Sequence, residues 1–121
     1  MLKEAPTSQK EDNIFRRWFQ DEYFDLFIWY NKEDNSISGF QLCYDKEIDE
    51  HAFTWLKNSG FSHNRVEDTH AIGKHPATPI LIDDGYFPFE DIKNRFTNSA
   101  ENIDKEIRDL VIGKISEYSG I

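Results

Sequence analysis

Hydrophobic and polar positions alternate along the first two thirds of the chain, and residues 23–30 carry the clearest pattern. One face of an extended strand there carries Phe24, Leu26, Ile28 and Tyr30. The opposite face carries Phe27 and Trp29. Apolar side chains on both faces are typical of an interior strand, so the pattern predicts a sheet that is covered on both sides.

The next two segments predict a β-hairpin. Residues 31–36 are polar and turn-forming, and residues 37–44 return as a second strand. A three-residue turn over residues 33–35, closed by Lys32 and Ser36, places Asn35 in the left-handed conformation that asparagine tolerates. The resulting pairs are Ile28 with Phe40, Leu26 with Leu42, Phe24 with Tyr44, and Trp29 with Gly39. A loop of even length would pair Leu26 with Gln41, so we favour the three-residue turn.

The remaining elements predict an α+β fold. Short strands are expected at residues 15–19, 51–56, 61–66 and 78–82, a helix from about Phe89, and a second helix capped within residues 98–101. This order predicts an antiparallel β-sheet of about four to six strands with C-terminal helices packed on one face. Residues 1–13 are polar and are predicted to form a flexible N-terminal arm, whereas residues 14–121 form a single α+β domain.

Composition narrows the class of protein. Of the 121 residues 31% are charged, but 15% are aromatic, which is not typical of a disordered chain. The net charge of −9 opposes binding to a phosphate backbone, so no nucleic-acid partner is expected. The longest apolar run is residues 26–30, which is too short for a membrane span. No apolar stretch follows residues 1–6, so no secretory signal is expected. The single cysteine favours a reducing compartment, so we expect a cytoplasmic protein.

The negative charge is concentrated in one part of the chain. Residues 21–50 hold nine acidic and two basic side chains, a net charge of −7. One interpretation is a docking face for a basic partner or a cation, and the commoner one is solvated loops kept soluble by charge.

A polar group is predicted among the aromatic residues of the strands. In the favoured register Asp25 lies opposite Cys43, on the face that carries Trp29 and Gln41. These four residues, with His63, are candidates for lining a small-molecule cavity. The structural alternative is that Asp25 pairs with Arg16 or Arg17 of the neighbouring strand.

Two further hypotheses concern metal binding and catalysis. His63, Asp68 and His70 are of the residue types that Zn²⁺ or Fe²⁺ selects, although their spacing matches no known motif. Cys43 is a candidate nucleophile with His51 or His63 as its base, but a thiol on an aromatic strand face is more often a packed neutral side chain. The cofactor, if the protein has one, cannot be named from these residues.

Several strings of residues resemble a family of small bacterial proteins that has no assigned function. They are Arg16-Arg17-Trp18-Phe19-x-Asp21, Asp25-Leu26, Trp29, Gly39-Phe40-Gln41-Leu42-Cys43-Tyr44-Asp45, Thr54-Trp55 and Gly60-Phe61-Ser62-His63. The resemblance covers about residues 16–85. It implies a bacterial, cytoplasmic protein and brings no activity, cofactor or catalytic residue.

The leading functional hypothesis is a small binding or interaction domain without catalytic activity that uses the aromatic second face of the sheet. That face needs a cover, either residues 61–88, a ligand, or a second copy of the chain. A homodimer or a protein partner is therefore expected, with no membrane and no nucleic acid. The alternative is a small enzyme or ligand-binding protein with a cavity near Asp25, Cys43 and His63, either with or without a bound metal. The sequence does not decide whether the protein is an enzyme.

Overall fold

In a computed structural model, the chain forms a seven-stranded sheet followed by two helices. The strands are β1 (Lys3–Ala5), β2 (Ile14–Gln20), β3 (Phe24–Asn31), β4 (Ile37–Tyr44), β5 (His51–Leu56), β6 (Gly60–Val66) and β7 (Leu81–Asp83). The helices are α1 (Phe89–Ser99) and α2 (Lys105–Ser119). The structure describes residues 1–9, 13–66 and 87–119, together with the backbone of residues 81–83.

The sheet is a meander, in which each strand pairs antiparallel with the next one along the chain. Short polar turns join most of the strands, and a two-stranded hairpin is the connection that such turns favour. The predicted α+β class, with an antiparallel sheet before C-terminal helices, is confirmed. The sheet has one strand beyond the expected range because the N-terminal residues add β1.

The β3–β4 hairpin has the predicted strand register but a different turn. The pairs Phe24 with Tyr44, Leu26 with Leu42, Ile28 with Phe40 and Trp29 with Gly39 are all present, and Asn35 has a φ of 60°. The turn, however, spans residues 32–35, since the Asn31 amide donates to the Ser36 carbonyl at 2.8 Å. Tyr30 then pairs with Ile37, and the register shifts by one residue between Trp29 and Tyr30. A four-residue loop plus this bulge therefore restores the pairing that a three-residue turn predicts.

The prediction of a flexible arm over residues 1–13 is wrong for its first residues. Residues Lys3–Ala5 form β1 along the edge of β2, and Leu2 is completely buried in the core. The Leu2 amide also donates to the Ser99 carbonyl at 2.8 Å, which ties the start of the chain to the end of α1. A three-residue edge strand carries too little alternation to be recognised in a polar segment.

The main core lies between one face of the sheet and the two helices, and we call that side of the sheet the helix face. It contains Leu26, Ile28, Phe40, Leu42 and Phe53 from the strands and Ile92, Phe96, Ile107, Val111 and Ile115 from the helices. The helical residues recur at intervals of three or four, which places them on one side of each helix. The predicted packing of the C-terminal helices on one face of the sheet is therefore confirmed.

The boundary between the two helices differs from the predicted cap within residues 98–101. Helix α1 continues through Ser99, and the Ala100 amide closes it by donating to the Phe96 carbonyl at 2.9 Å. Helix α2 begins at Lys105, after Asp104. The Asp104 side chain accepts a hydrogen bond from Nη1 of Arg17 at 2.9 Å, which joins the start of α2 to the sheet. A tertiary contact, rather than a local capping box, thus marks this helix start.

Candidate functional site

The candidate site lies on the other side of the sheet, which we call the second face. Side chains alternate along each strand, so the observed register places Arg16, Trp18, Asp25, Phe27, Trp29, Gln41, Cys43, Ala52 and Thr54 on this face. Phe27 is 5% exposed and Trp29 is 1% exposed. A single chain therefore already covers the aromatic residues that the sequence predicts on both sides of β3.

Asp25 is the central polar group of the second face. Its side chain is 10% exposed, and Nε1 of Trp18 donates a hydrogen bond to its Oδ1 atom at 2.9 Å. Nζ of Lys46 lies 3.3 Å from the same oxygen. The Lys46 donor is charged and the surroundings exclude most water. The two contacts therefore hold the Asp25 carboxylate in a fixed place. Asp25 pairs with Lys46 and not, as expected, with Arg16 or Arg17. Arg17 lies on the helix face and binds Glu4 and Asp104.

Glu50 supplies a second carboxyl group to the same cluster. Its pKa is raised from the ordinary value of 4.5 to about 7, first by burial and then by the negative charge of Asp25, while Lys46 acts in the opposite direction. The Oε2 atom of Glu50 is buried, and no hydrogen-bond donor within the described residues reaches it. Buried acceptors are nearly always satisfied, so this oxygen is an exception that needs a reason.

Cys43 and Gln41 continue the cluster along β4. Sγ of Cys43 donates to Oε1 of Gln41 at 3.6 Å, and Nε2 of Gln41 donates to Oγ1 of Thr54 at 3.3 Å. Cys43 is completely buried, and this burial, with the nearby charges of Glu50 and Asp25, raises the pKa of its thiol well above the usual value. The thiol is therefore neutral near pH 7 and is a poor nucleophile.

Aromatic rings form the wall beside these polar groups. The rings of Trp18 and Phe27 stack with centroids 5.8 Å apart and planes 12° from parallel. The Arg16 guanidinium lies 5.7 Å from the centre of the Phe27 ring. Trp18 is only partly buried, so its ring forms the boundary between the cluster and solvent.

His63 does not join the predicted group of Asp25, Trp29, Gln41 and Cys43. It pairs with Phe53 across β5 and β6, which places it on the helix face. There it is 2% exposed, and its Nε2 atom lies 2.6 Å from the hydroxyl of Tyr44. The structure therefore places four of the five predicted ligand-binding residues on the second face and the fifth on the helix face.

The Cys43 nucleophile hypothesis fails for the same geometric reason. Its two candidate bases, His51 and His63, both lie on the helix face, where their rings stack 5.4 Å apart. A base must come within hydrogen-bond reach of the thiol, and the sheet separates these groups.

The metal hypothesis involves residues that are only partly described. The His63 ring forms a hydrogen bond with the Tyr44 hydroxyl, whereas Asp68 and His70 lie outside the described residues. Within the described ranges, no three histidine, cysteine, aspartate or glutamate side chains are grouped closely enough to hold a metal ion.

Sequence reasoning missed three members of the cluster, Trp18, Lys46 and Glu50. Residues 45–50 read as a solvated acidic loop, yet Glu50 stands two and four residues before Ala52 and Thr54, which is the alternation of the second face. That spacing could have identified Glu50. No such signal exists for Lys46, because Asp45 turns the chain with a φ of 57° and ends the alternation.

The raised pKa of Glu50 gives a testable pH dependence. A carboxyl whose pKa is higher in the folded than in the unfolded protein stabilises the fold below pH 4.5 and loses that contribution as the pH rises through about 7. The glutamine of Glu50→Gln cannot ionise. The free energy of unfolding of this variant, relative to that of the wild type, should therefore rise by about 1 kcal/mol between pH 4.5 and pH 7.5. This figure is reduced for solvent screening, because Glu50 is half-buried.

Urea unfolding of both proteins at several pH values measures this difference. Glu47→Gln is the matched control, since Glu47 is exposed in the same loop. Parallel pH profiles for the wild type and Glu50→Gln would show that Glu50 ionises as an ordinary surface residue.

No protein-family model, curated protein or solved structure matches this chain. None of the helices in the described ranges is long and apolar enough to cross a membrane.

Proposed function

We propose that the protein is a small binding domain without catalytic activity and that its ligand site is the cluster of Asp25, Glu50, Lys46 and Trp18 on the second face. The observation that carries this proposal is the buried Oε2 atom of Glu50, which lacks a donor among the described residues. Leaving such an acceptor unsatisfied costs about 1–3 kcal/mol, and a bound ligand that donates a hydrogen bond removes that cost.

The chemistry of the cluster selects a compact ligand with N–H donors and a positive charge. Glu50 and Asp25 together carry up to two negative charges, and Lys46 balances one of them through its contact with Asp25. An ammonium or guanidinium group beside Glu50 balances the other and supplies the missing donor. The partly buried ring of Trp18 adds a flat surface that favours such a cation.

The aromatic second face supports binding in a different way from the one expected from sequence. Phe27 and Trp29 are buried within one chain, so they act as a low-dielectric wall that strengthens the electrostatic contacts of Asp25. Docking of a second copy or of a protein partner on this face remains a prediction, which light scattering at micromolar concentration tests. A neutral, fully buried thiol at Cys43 supports the non-catalytic assignment.

A thermal-shift experiment tests the proposal. Methylammonium, guanidinium, Zn²⁺ and Mn²⁺ are each added to the full chain at pH 6, 7 and 8. We expect an organic cation to raise the melting temperature by about 3 °C or more at saturation. The shift should grow from pH 6 to pH 8, because the cation binds the ionised form of Glu50, whose pKa is about 7.

Glu50→Gln should abolish this shift, and Glu47→Gln, in the same loop, should preserve it. The absence of any shift with both organic cations would overturn the proposal. A shift that survives Glu50→Gln would place the binding elsewhere. A shift with Zn²⁺ or Mn²⁺ alone that Glu50→Gln leaves unchanged would favour the histidine hypothesis instead.

A further inference from the structure

The outer edge of β2 is only partly covered by β1. Strand β1 ends at Ala5, opposite Trp18, and the next residue, Pro6, has no amide hydrogen with which to continue the ladder. Within the described residues, no other strand lies beside residues 14–17 of β2. An open strand edge presents amide and carbonyl groups that readily pair with another chain. This part of β2 is therefore a place where the fold must prevent unwanted pairing.

The side chain of Gln9 covers this edge at Arg16. Oε1 of Gln9 accepts a hydrogen bond from the Arg16 amide at 2.8 Å, and Nε2 of Gln9 donates to the Arg16 carbonyl at 2.8 Å. In an antiparallel sheet, two residues of a hydrogen-bonded pair exchange the same two bonds through their main chains. The carboxamide of Gln9 therefore takes the place of one residue of a neighbouring strand.

The Arg16 side chain holds the segment that carries Gln9. Its Nε donates to Oγ1 of Thr7 at 3.0 Å, and its Nη2 donates to the carbonyl of Ser8 at 3.2 Å. Residues 7–9 themselves form no strand. The cover at the Arg16 main chain is therefore a side-chain contact, which a single substitution removes.

We propose that Gln9 is a closing residue, which keeps the edge of β2 from pairing with the same edge of a second copy of the chain. A second copy fits this edge because two-fold symmetry brings two identical strands together in antiparallel orientation. The local charge permits the approach, since the first 20 residues hold four basic and three acidic side chains. The contact does not depend on the binding function proposed for the second face.

Gln9→Ala tests the proposal through the oligomeric state of the full chain. Gln9 is exposed, so the substitution should leave the fold intact. Sedimentation from micromolar to millimolar concentration should show that this variant self-associates about tenfold more strongly than the wild type. The reason is that the freed amide and carbonyl groups of Arg16 then form hydrogen bonds with the other copy.

The exchange rate of the Arg16 amide hydrogen, followed by NMR, locates the association. In the wild type this amide should be protected at every concentration, because it donates to Gln9. In Gln9→Ala it should exchange freely in dilute solution and become protected again at the highest concentration, where the copies pair.

Ser8→Ala is the matched control, since Ser8 binds Arg16 through its carbonyl oxygen, which alanine retains. It should associate like the wild type and keep the Arg16 amide protected. Equal association of Gln9→Ala and the wild type would overturn the proposal. So would association of Gln9→Ala in which the Arg16 amide stays unprotected, because the copies would then meet elsewhere. An equal rise in association for Ser8→Ala, or free exchange of the Arg16 amide in the wild type, would show that Gln9 does not close the edge.

Discussion

Replacing Trp29 with alanine is expected to lower the free energy of unfolding by about 3–5 kcal/mol. Trp29 is 1% exposed and is the largest of the fully buried side chains. It lies on the second face, opposite Gly39, so its loss removes apolar contacts on the side of the sheet that the helices do not cover. A loss of this size would show that the second face is a packed interior and not a solvated surface.

Chemical denaturation monitored by circular dichroism measures this change. Trp55→Ala is the matched control, because Trp55 lies on the helix face, is only partly buried, and has Lys114 above its ring at 4.4 Å. We expect the control to lose about 1–2 kcal/mol. If Trp29→Ala cost no more than Trp55→Ala, the second face would not be buried in solution.

Gly39→Ala is expected to destabilise the protein by about 1–3 kcal/mol or more. A Cβ atom at residue 39 would lie 2.6 Å from the Trp55 carbonyl oxygen and 2.7 Å from Cδ2 of Leu56. The oxygen belongs to the backbone of the paired strand β5, so relief of the clash requires β4 and β5 to move apart. That movement would disturb the register on which both faces depend.

The control for this prediction is a glycine that has space around it. Gly113 lies in α2, and a Cβ atom there would meet no other atom within 4 Å. Gly113→Ala should stabilise the protein by about 0.5–1 kcal/mol, because alanine favours the helix. Opposite signs for the two glycine substitutions, measured by the same unfolding assay, would confirm the close approach of the strands. A neutral effect of Gly39→Ala would contradict it.

Alternation along β3 and β4 allowed most of the fold to be predicted. The opposition of Asp25 and Cys43 and that of Trp29 and Gly39 follow once apolar residues are required to face apolar residues across the hairpin. The length of the turn was not predictable. A bulge near Tyr30 makes the loop one residue longer than predicted and leaves the strand pairs from Phe24–Tyr44 to Trp29–Gly39 unchanged. Burial thus determines strand register more firmly than turn length does.

The parts that sequence reasoning missed depend on tertiary contacts. Leu2 is buried in the core, and its amide donates to the carbonyl of Ser99 at the end of α1. The face on which His63 lies depends on the register across the β5–β6 turn, where Gly60 has a φ of 89°. Lys46 reaches Asp25 after a left-handed residue has redirected the chain. None of these contacts leaves a periodic pattern in the sequence.

The two faces of the sheet therefore have different chemistry. The helix face is an apolar core with one buried Tyr44–His63 pair. The second face combines buried rings with Asp25, Gln41 and Thr54, which are all less than 10% exposed. Buried polar side chains on the face without helices are what we take as the basis for binding.

The measurement that tests this account most directly is the titration of the Glu50 side-chain carboxyl by carbon-13 NMR. The account predicts a midpoint near pH 7 in the wild type, as burial and the charge of Asp25 require. In Asp25→Asn the midpoint should fall, because one of these two causes is removed. A wild-type midpoint near 4.5 would contradict the account, since Glu50 would then be a solvated surface carboxylate.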